Sequence, residues 1–305
     1  MRQEMIFTSE SVTPGHPDKL CDQISDAAVD AYLRQDAEAR VTVECAIATA
    51  IVFIAARFAA EGTVDLPLLA RSVIADAGYT GDGFDARSCS ILTSLTRAPD
   101  SLRAPTEDDD WPAEEQANVF GFACSETESL MPLQISLAHR LARTLAGVRG
   151  PKLAWLGPDG KTQVAIEYRN GRPRRLYGVT LTCALNGSAP PEQQIVDTLR
   201  ETVIEPVFKN ADIAPDAETR ITINPGDPFL IGGPSHHAGL TGRKNGIDTY
   251  GEYARQSGAA LSGKDPSRID RIGAYAARYA SAGSASASGV AASMRLLPVP
   301  FPSPP

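Results

Sequence analysis

The strongest constraint on the fold is an order of apolar patterns that recurs along the chain. After a strand-like "MIFTSES", residues 17–34, "PDKLCDQISDAAVDAYLR", have helical spacing, with Pro17 fitting the first turn. Leu20, Ile24, Ala27, Ala28 and Tyr32 fall near one face, while Asp18, Asp22, Asp26 and Asp30 recur at four-residue steps on another. "RVTVECAIATAIVFIAARFA" is β-branched and almost continuously apolar, which predicts one or two buried strands. "DLPLLARSVIADAGY" is helical again and "SCSILTSLT" is a strand. The next third repeats the theme. A helix over 126–147 precedes strands "QVAIEYR" and "RLYGVTLTCAL" joined by "NGRPR". The helix "PEQQIVDTLRETVIEPVF" and the strand "TRITINP" follow, and "DRIGAYAARYA" is the last helical piece. Such alternation predicts an α+β fold of repeated units.

Composition shifts mark the expected divisions. Residues 1–103 form an N-terminal α+β domain, and 104–118 form an acidic, Pro-containing loop expected to be mobile. Residues 119–230 form a central α+β domain, and 231–280 a partial C-terminal one. Of the last 25 residues, 281–305, 18 are Ser, Ala, Gly or Pro and one is charged, which predicts a disordered tail.

With 305 residues, 43% of them hydrophobic and 22% charged, the chain has ordinary globular composition. A net charge of −8 argues against general nucleic-acid binding, which needs a basic face. Charge is uneven, however: Arg220 to Arg278 holds eight Arg/Lys against five Asp/Glu, and local positive charge can concentrate an anionic substrate. Five scattered cysteines without a CxxC read as reduced, buried thiols. The N-terminus lacks an apolar stretch of signal-peptide length, and "AIATAIVFIAARFAA" is too short to span a bilayer. A cytoplasmic protein with no membrane partner is expected.

The basic region contains "GGPSHHAGLTGRKNGIDTYG", residues 232–251. Its glycines allow close approach of backbone to a ligand, and Arg243 and Lys244 offer donors suited to phosphate oxygens. "GPDGK" (157–161) and "SGKDPSRIDR" (262–271) add further glycine turns bearing cations, with Asp close by. Mg²⁺ uses few carboxylates plus substrate phosphates, so the combination suits a metal–polyphosphate site. "GHPDK" (15–19) opens the first helix with a histidine and an acid.

Together these segments resemble the S-adenosylmethionine synthetase family. The resemblance runs through "FTSESVTPGHPDKLCDQISDA", "FACSETESLMPLQISLAHRL", "PDGKTQVAIEY" and "FLIGGPSHHAGLTGRKNGIDTYG…LSGKDPSRIDRIGAYAARYA", in family order over roughly residues 5–280. It implies three similar α+β domains about a pseudo-threefold axis, the third incomplete here, in a homodimer or tetramer with sites at subunit interfaces. Pairing with a full-length paralogue is a further possibility the resemblance leaves open. The implied reaction joins ATP and methionine with release and hydrolysis of triphosphate, assisted by two Mg²⁺ and a K⁺. By the same resemblance His16 lies near the breaking bond, Asp18 and Asp270 bind Mg²⁺, and Glu44 binds K⁺. Lys161, Arg243, Lys244 and Lys264 hold phosphates, Asp159 lies near the nucleotide, and Phe229 stacks on adenine.

Departures gather on the acceptor side. Arg57 stands where the family has a glutamate, Ala98 where it has a glutamine, and Glu115 in place of an aspartate in an altered glycine loop. His237 replaces an acid, and Arg268 a lysine. A methionine ammonium favours carboxylates, and like charges at close range repel by about 1–4 kcal/mol. Two alternatives to S-adenosylmethionine synthesis therefore remain open. One is adenosyl transfer to another small-molecule acceptor or triphosphate release to water; the other is a catalytically degenerate nucleotide-binding subunit.

Overall fold

In the computed structural model, described for residues 4–81, 83–99, 117–209, 211–226, 229–288 and 292–296, the expected alternation resolves into three related units. The first comprises α1 (Pro17–Gln35), β2 (Arg40–Ala48), β3 (Ile51–Ala59) and α2 (Leu66–Asp76). A two-rung ladder of β4 (Thr80–Gly81) and β5 (Phe84–Asp85) then leads to β6 (Ser90–Arg97). The second comprises α3 (Leu133–Gly147), β8 (Leu156–Arg169), β9 (Arg172–Leu185), α4 (Glu192–Leu199), α5 (Glu205–Phe208) and β10 (Arg220–Ile223). In each, an antiparallel hairpin is joined through a helical crossover to a third strand lying parallel to the hairpin's second. Parallel pairing demands such a crossover.

Each unit is preceded by a leading strand, and none of the three pairs within its own unit. β1 (Glu4–Val12) pairs antiparallel with β8 of the second unit. β7 (Val119–Ala123) pairs with β12 (Ala292–Leu296) of the third, and β11 (Gly239–Leu240) pairs with β2 of the first. The sheets accordingly read β11-β2-β3-β6, β1-β8-β9-β10 and β12-β7. This cyclic exchange gives the units a threefold relation. Among the described residues the third unit contains α6 (Asn245–Asp248), α7 (Ile269–Ser288) and β12.

Local chemistry explains the elements. Pro17 occupies the first turn of α1, and His16 caps it. Asp65 caps α2 by accepting the Leu68 N–H at 2.9 Å. The two-residue connection Asn170-Gly171, both with positive φ, closes the β8–β9 hairpin in the manner of a type I′ turn. The first core lies between α1, α2 and the Val41, Val43, Ile47, Val52 and Ile54 face of β2–β3; the second lies under α3 against Val164, Ile166, Val179 and Leu181. All five cysteines are free and buried.

Three local expectations need correction. α3 begins at Leu133, not at 126, because Pro132 disfavours helix before it. "GPDGK" is not a turn: it lies within β8, which bulges between Leu156 and Gly160. The low-complexity end is also structured in part, since α7 runs to Ser288 and 292–296 pairs with β7. Small residues still form helix and strand when a neighbouring unit supplies a partner. The acidic loop lies mostly outside the described residues, and Glu115 lies wholly outside them.

Candidate active site

The N-terminus of α1 is the centre of the site. His16 is 5% exposed, and its Nδ1 accepts the Asp18 main-chain N–H at 3.2 Å. Burial drives its pKa down to about 4, only partly offset by Asp159 and Asp18, so the ring is neutral near pH 7. Because Nδ1 accepts a proton donor, the ring proton sits on Nε2. Asp18 is 3% exposed; one carboxylate oxygen accepts the Leu240 N–H at 3.0 Å. Arg243 and Lys244 each approach the same carboxylate to 3.9 Å.

Two further segments complete this group. Lys161 on β8 lies opposite Val12 of β1, and its Nζ is 3.3 Å from Glu10. Lys244 reaches the other oxygen of Glu10 at 3.4 Å. Burial raises the Glu10 pKa, but the two lysines outweigh it and the net shift is downward, so the carboxylate stays charged. Asp159, 2% exposed, accepts the Gly233 N–H at 2.8 Å and faces His237 Nε2 at 3.1 Å. The His16 and His237 ring centroids are 4.9 Å apart. Gly232 lies between Phe229 and Asp159; a Cβ there would stand 3.0 Å from the Phe229 ring and 3.1 Å from Asp159. Thus His16, Asp18, Asp159, Lys161, Phe229, His237, Arg243 and Lys244 gather in one place.

The remaining expected residues form a second group. Lys264 lies across from Thr42, which is itself the register partner of Arg57. Lys264 ion-pairs with Asp270, and its carbonyl accepts Arg271 at 2.7 Å. Glu44, exposed, is two residues along β2 from Thr42 and so shares its face. Arg268 lies in the same turn, its N–H donating to the Asp265 carbonyl at 3.3 Å. Leu240 pairs with Ala46 and Lys264 with Thr42, four residues apart on β2, so the groups lie roughly 13 Å apart along the sheet edge. Level with Ala46 and beyond it, on the face that carries Arg57, the sheet presents Ile51, Phe53, Leu92 and Leu240, all exposed. Ala98 is buried, its N–H bonded to the Phe58 carbonyl at 2.7 Å.

The sequence pattern hid how the glycine segments are held. Asp18, Asp22 and Asp26 each accept one main-chain N–H, from Leu240, Gly242 and Gly263, at 3.0, 2.8 and 2.8 Å. The four-residue acid spacing is therefore a rack on which the third unit's loops hang. Asp265, 1% exposed, binds the Val41 N–H at 2.7 Å, and Lys19 ties Asp22 to Asp248. Gly239 is obligatory on contact grounds, since a Cβ there would sit 2.2 Å from the Pro17 carbonyl oxygen. Glu10 lies in the opening motif but was not singled out there; its place opposite Gln163 and its two lysine partners reveal its role.

Fold and site together define a three-unit α+β protein with a cation-rich cleft at a helix N-terminus. Models of the S-adenosylmethionine synthetase N-terminal, central and C-terminal domains match residues 4–99, 110–229 and 231–296 in that order. The chain belongs to the S-adenosylmethionine synthetase family. It is 44% identical to the S-adenosylmethionine synthase of Microcystis aeruginosa, over 92% of this chain and 73% of that relative. It is 45% identical to those of Prochlorococcus marinus and a Synechococcus strain, in each case over 90% of this chain and 72% of the relative.

Proposed function

We propose that the protein synthesises S-adenosylmethionine from ATP and methionine. The methionine sulfur attacks C5′ of ATP, the C5′–O5′ bond breaks with its electron pair going to oxygen, and a sulfonium forms as triphosphate leaves. Water then cleaves the triphosphate to pyrophosphate and phosphate. One observation carries this reading: His16, Asp18, Lys161, Arg243 and Lys244, from three separate segments, converge on the N-terminus of α1.

The chemistry follows from that convergence. A neutral thioether needs no base, so the barrier lies in the charge developing on the departing triphosphate. Preorganised cations stabilise such charge without reorganising at the moment of reaction. Lys161 and Lys244 are held by Glu10, and exchanging that carboxylate for phosphate oxygens is the step that binding supplies. The N-terminus of α1 adds its positive end. Neutral His16 can donate its Nε2 proton to the leaving oxygen, and Phe229 offers a face for adenine beside Asp159.

Carboxylates suit Mg²⁺, and Asp18 fits it: one oxygen is fixed by Leu240, and the other faces the cleft's cations. Asp270 and, for K⁺, Glu44 are the further oxygen donors. When bound, these ions neutralise phosphate charge. Asp270, Lys264, Arg268 and Arg57 stand apart from Asp18 within one chain. A two-fold pairing over the Ile51–Phe53–Leu92 face brings one protomer's second group to the other's first, as an isologous interface requires. This supports a dimer, with catalysis in the cytoplasm. The described residues include no helix long and apolar enough to cross a membrane.

A second reading is favoured by Arg57 and His237. Positive or neutral groups at these positions suit an acceptor lacking a free ammonium, or water. One assay separates the two. Purified chain with ATP, Mg²⁺, K⁺ and methionine is expected to yield S-adenosylmethionine, pyrophosphate and phosphate in equal amounts. Triphosphate products without S-adenosylmethionine would overturn the first reading in favour of the second.

A further inference from the structure

We propose that His16, Asp159 and His237 form a binding site for one borderline-soft divalent ion such as Zn²⁺ or Co²⁺, distinct from the magnesium ligands. Candidate ligand atoms of the three residues lie within 4.8 Å of one another, and no other such trio occurs among the described residues. A tetrahedral ion with bonds of about 2.1 Å separates its ligand atoms by roughly 3.4 Å. The Asp159–His237 pair at 3.1 Å already meets that spacing, so only His16 has to close in.

The site has the other marks of a built one. His16 and Asp159 are 5% and 2% exposed, which shields two ligands from water. Asp159 is fixed by the Gly233 N–H at 2.8 Å, an outer contact of the kind that orients ligating carboxylates. Ligation of His16 through Nε2 puts the ring proton on Nδ1 at the expense of the Asp18 N–H bond accepted there, and the Asp18 carboxylate, now 3.8 Å away, is the acceptor that has to close in to replace it. His237 is 35% exposed on its side chain, leaving an open side for water as fourth ligand. Two imidazoles and one carboxylate select Zn²⁺, Co²⁺ or Ni²⁺ over Mg²⁺, which prefers oxygen donors.

Because His16 cannot both ligate an ion and donate from Nε2, such an ion competes with the use of this ring in the proposed reaction. That consequence rests on the synthase reading, whereas ion binding itself does not. The test therefore uses the metal alone. Chelator-treated full-length chain titrated with Co²⁺ is expected to take up one equivalent, with visible ligand-field bands of low-symmetry N,O coordination. His237→Ala, at a partly exposed position, is expected to weaken uptake at least about tenfold, as is Asp159→Asn. His237→Asp is expected to keep some uptake but to shift the bands and to lose preference for Co²⁺ over Mg²⁺. His236→Ala is the control: its ring, exposed and packed on Phe229, lies outside the trio and its removal should leave uptake within about twofold. Uptake unchanged in His237→Ala, or abolished in His236→Ala alone, would overturn the assignment. Melting curves without metal show whether each variant has folded. If His16→Ala fails to fold, the His237 and His236 pair still decides the matter.

Discussion

Glu10 sets the resting state of the two lysines that the reaction needs. With Lys161 and Lys244 both on its carboxylate, the cleft is charge-balanced before substrate arrives. Removing a cation that meets the leaving group should cost catalysis and not folding. Lys161→Ala and Lys244→Ala are each expected to lower kcat for S-adenosylmethionine formation by about 10²–10³, checked by initial rates at saturating ATP. Arg57→Glu restores a carboxylate on the exposed sheet face and is expected to lower KM for methionine about tenfold, equivalent to about 1.4 kcal/mol. An unchanged KM would show that Arg57 does not meet the acceptor. These residues were legible because each sits in a quoted motif. Arg57 lies on the open face, opposite Thr42 on β2. Glu10 lies within the quoted opening segment, but its role was illegible because an acid on a strand shows no function until its partners from β8 and the glycine segment are known.

At the scale of elements, α1 does two jobs with one stripe of acids. Its buried face carries Leu20, Ile24 and Ala28, while Asp18, Asp22 and Asp26 seize the main chain of the third unit. The spacing was visible in the sequence, but its target was not, because a four-residue acid repeat reads equally as solvated helix surface. Asp22→Ala strands the Gly242 N–H and frees Lys19 from one of its two partners; we expect a stability loss of about 2 kcal/mol in urea titration. The companion Asp30→Ala should be within about 0.5 kcal/mol of the parent, since among the described residues that exposed acid pairs with Arg34 alone, at 3.7 Å. The strands β2 and β3 were readable from their β-branched apolar run and α2 from its helical spacing, but the run predicted buried strands and hid the open face that carries Ile51 and Phe53. The strand character of "GPDGK" was not, because its glycines and proline argue for a turn until β1 and β9 flank it.

For the molecule as a whole, pH and association are the informative variables. His139 lies on Ser11 at 2.9 Å, and burial lowers its pKa to about 4. The unfolded histidine protonates near 6.5, so its contribution is intact above that pH and is lost as the solution is acidified toward 4. Between pH 7 and 5 this amounts to about 2 kcal/mol, which His139→Gln should remove from the slope of unfolding free energy against pH. Phe53, 42% exposed on the open sheet, is the residue on which the proposed two-fold pairing would turn. Phe53→Asp is expected to shift sedimentation from dimer to monomer and to abolish turnover together with it. The sequence made three α+β units legible, but not the exchange of leading strands, which involves pairing across more than a hundred residues.

That exchange has a mechanical corollary. Each sheet borrows its outer strand from the neighbour upstream, so the three thirds are clasped in a ring in which every member is both donor and recipient. Excising any one third would strip a strand from a second and orphan the strand it had borrowed from the other. Such a closed chain of loans should come apart in a single concerted event. It also means that damage at β12 is felt first at β7, the strand that leads into the central unit.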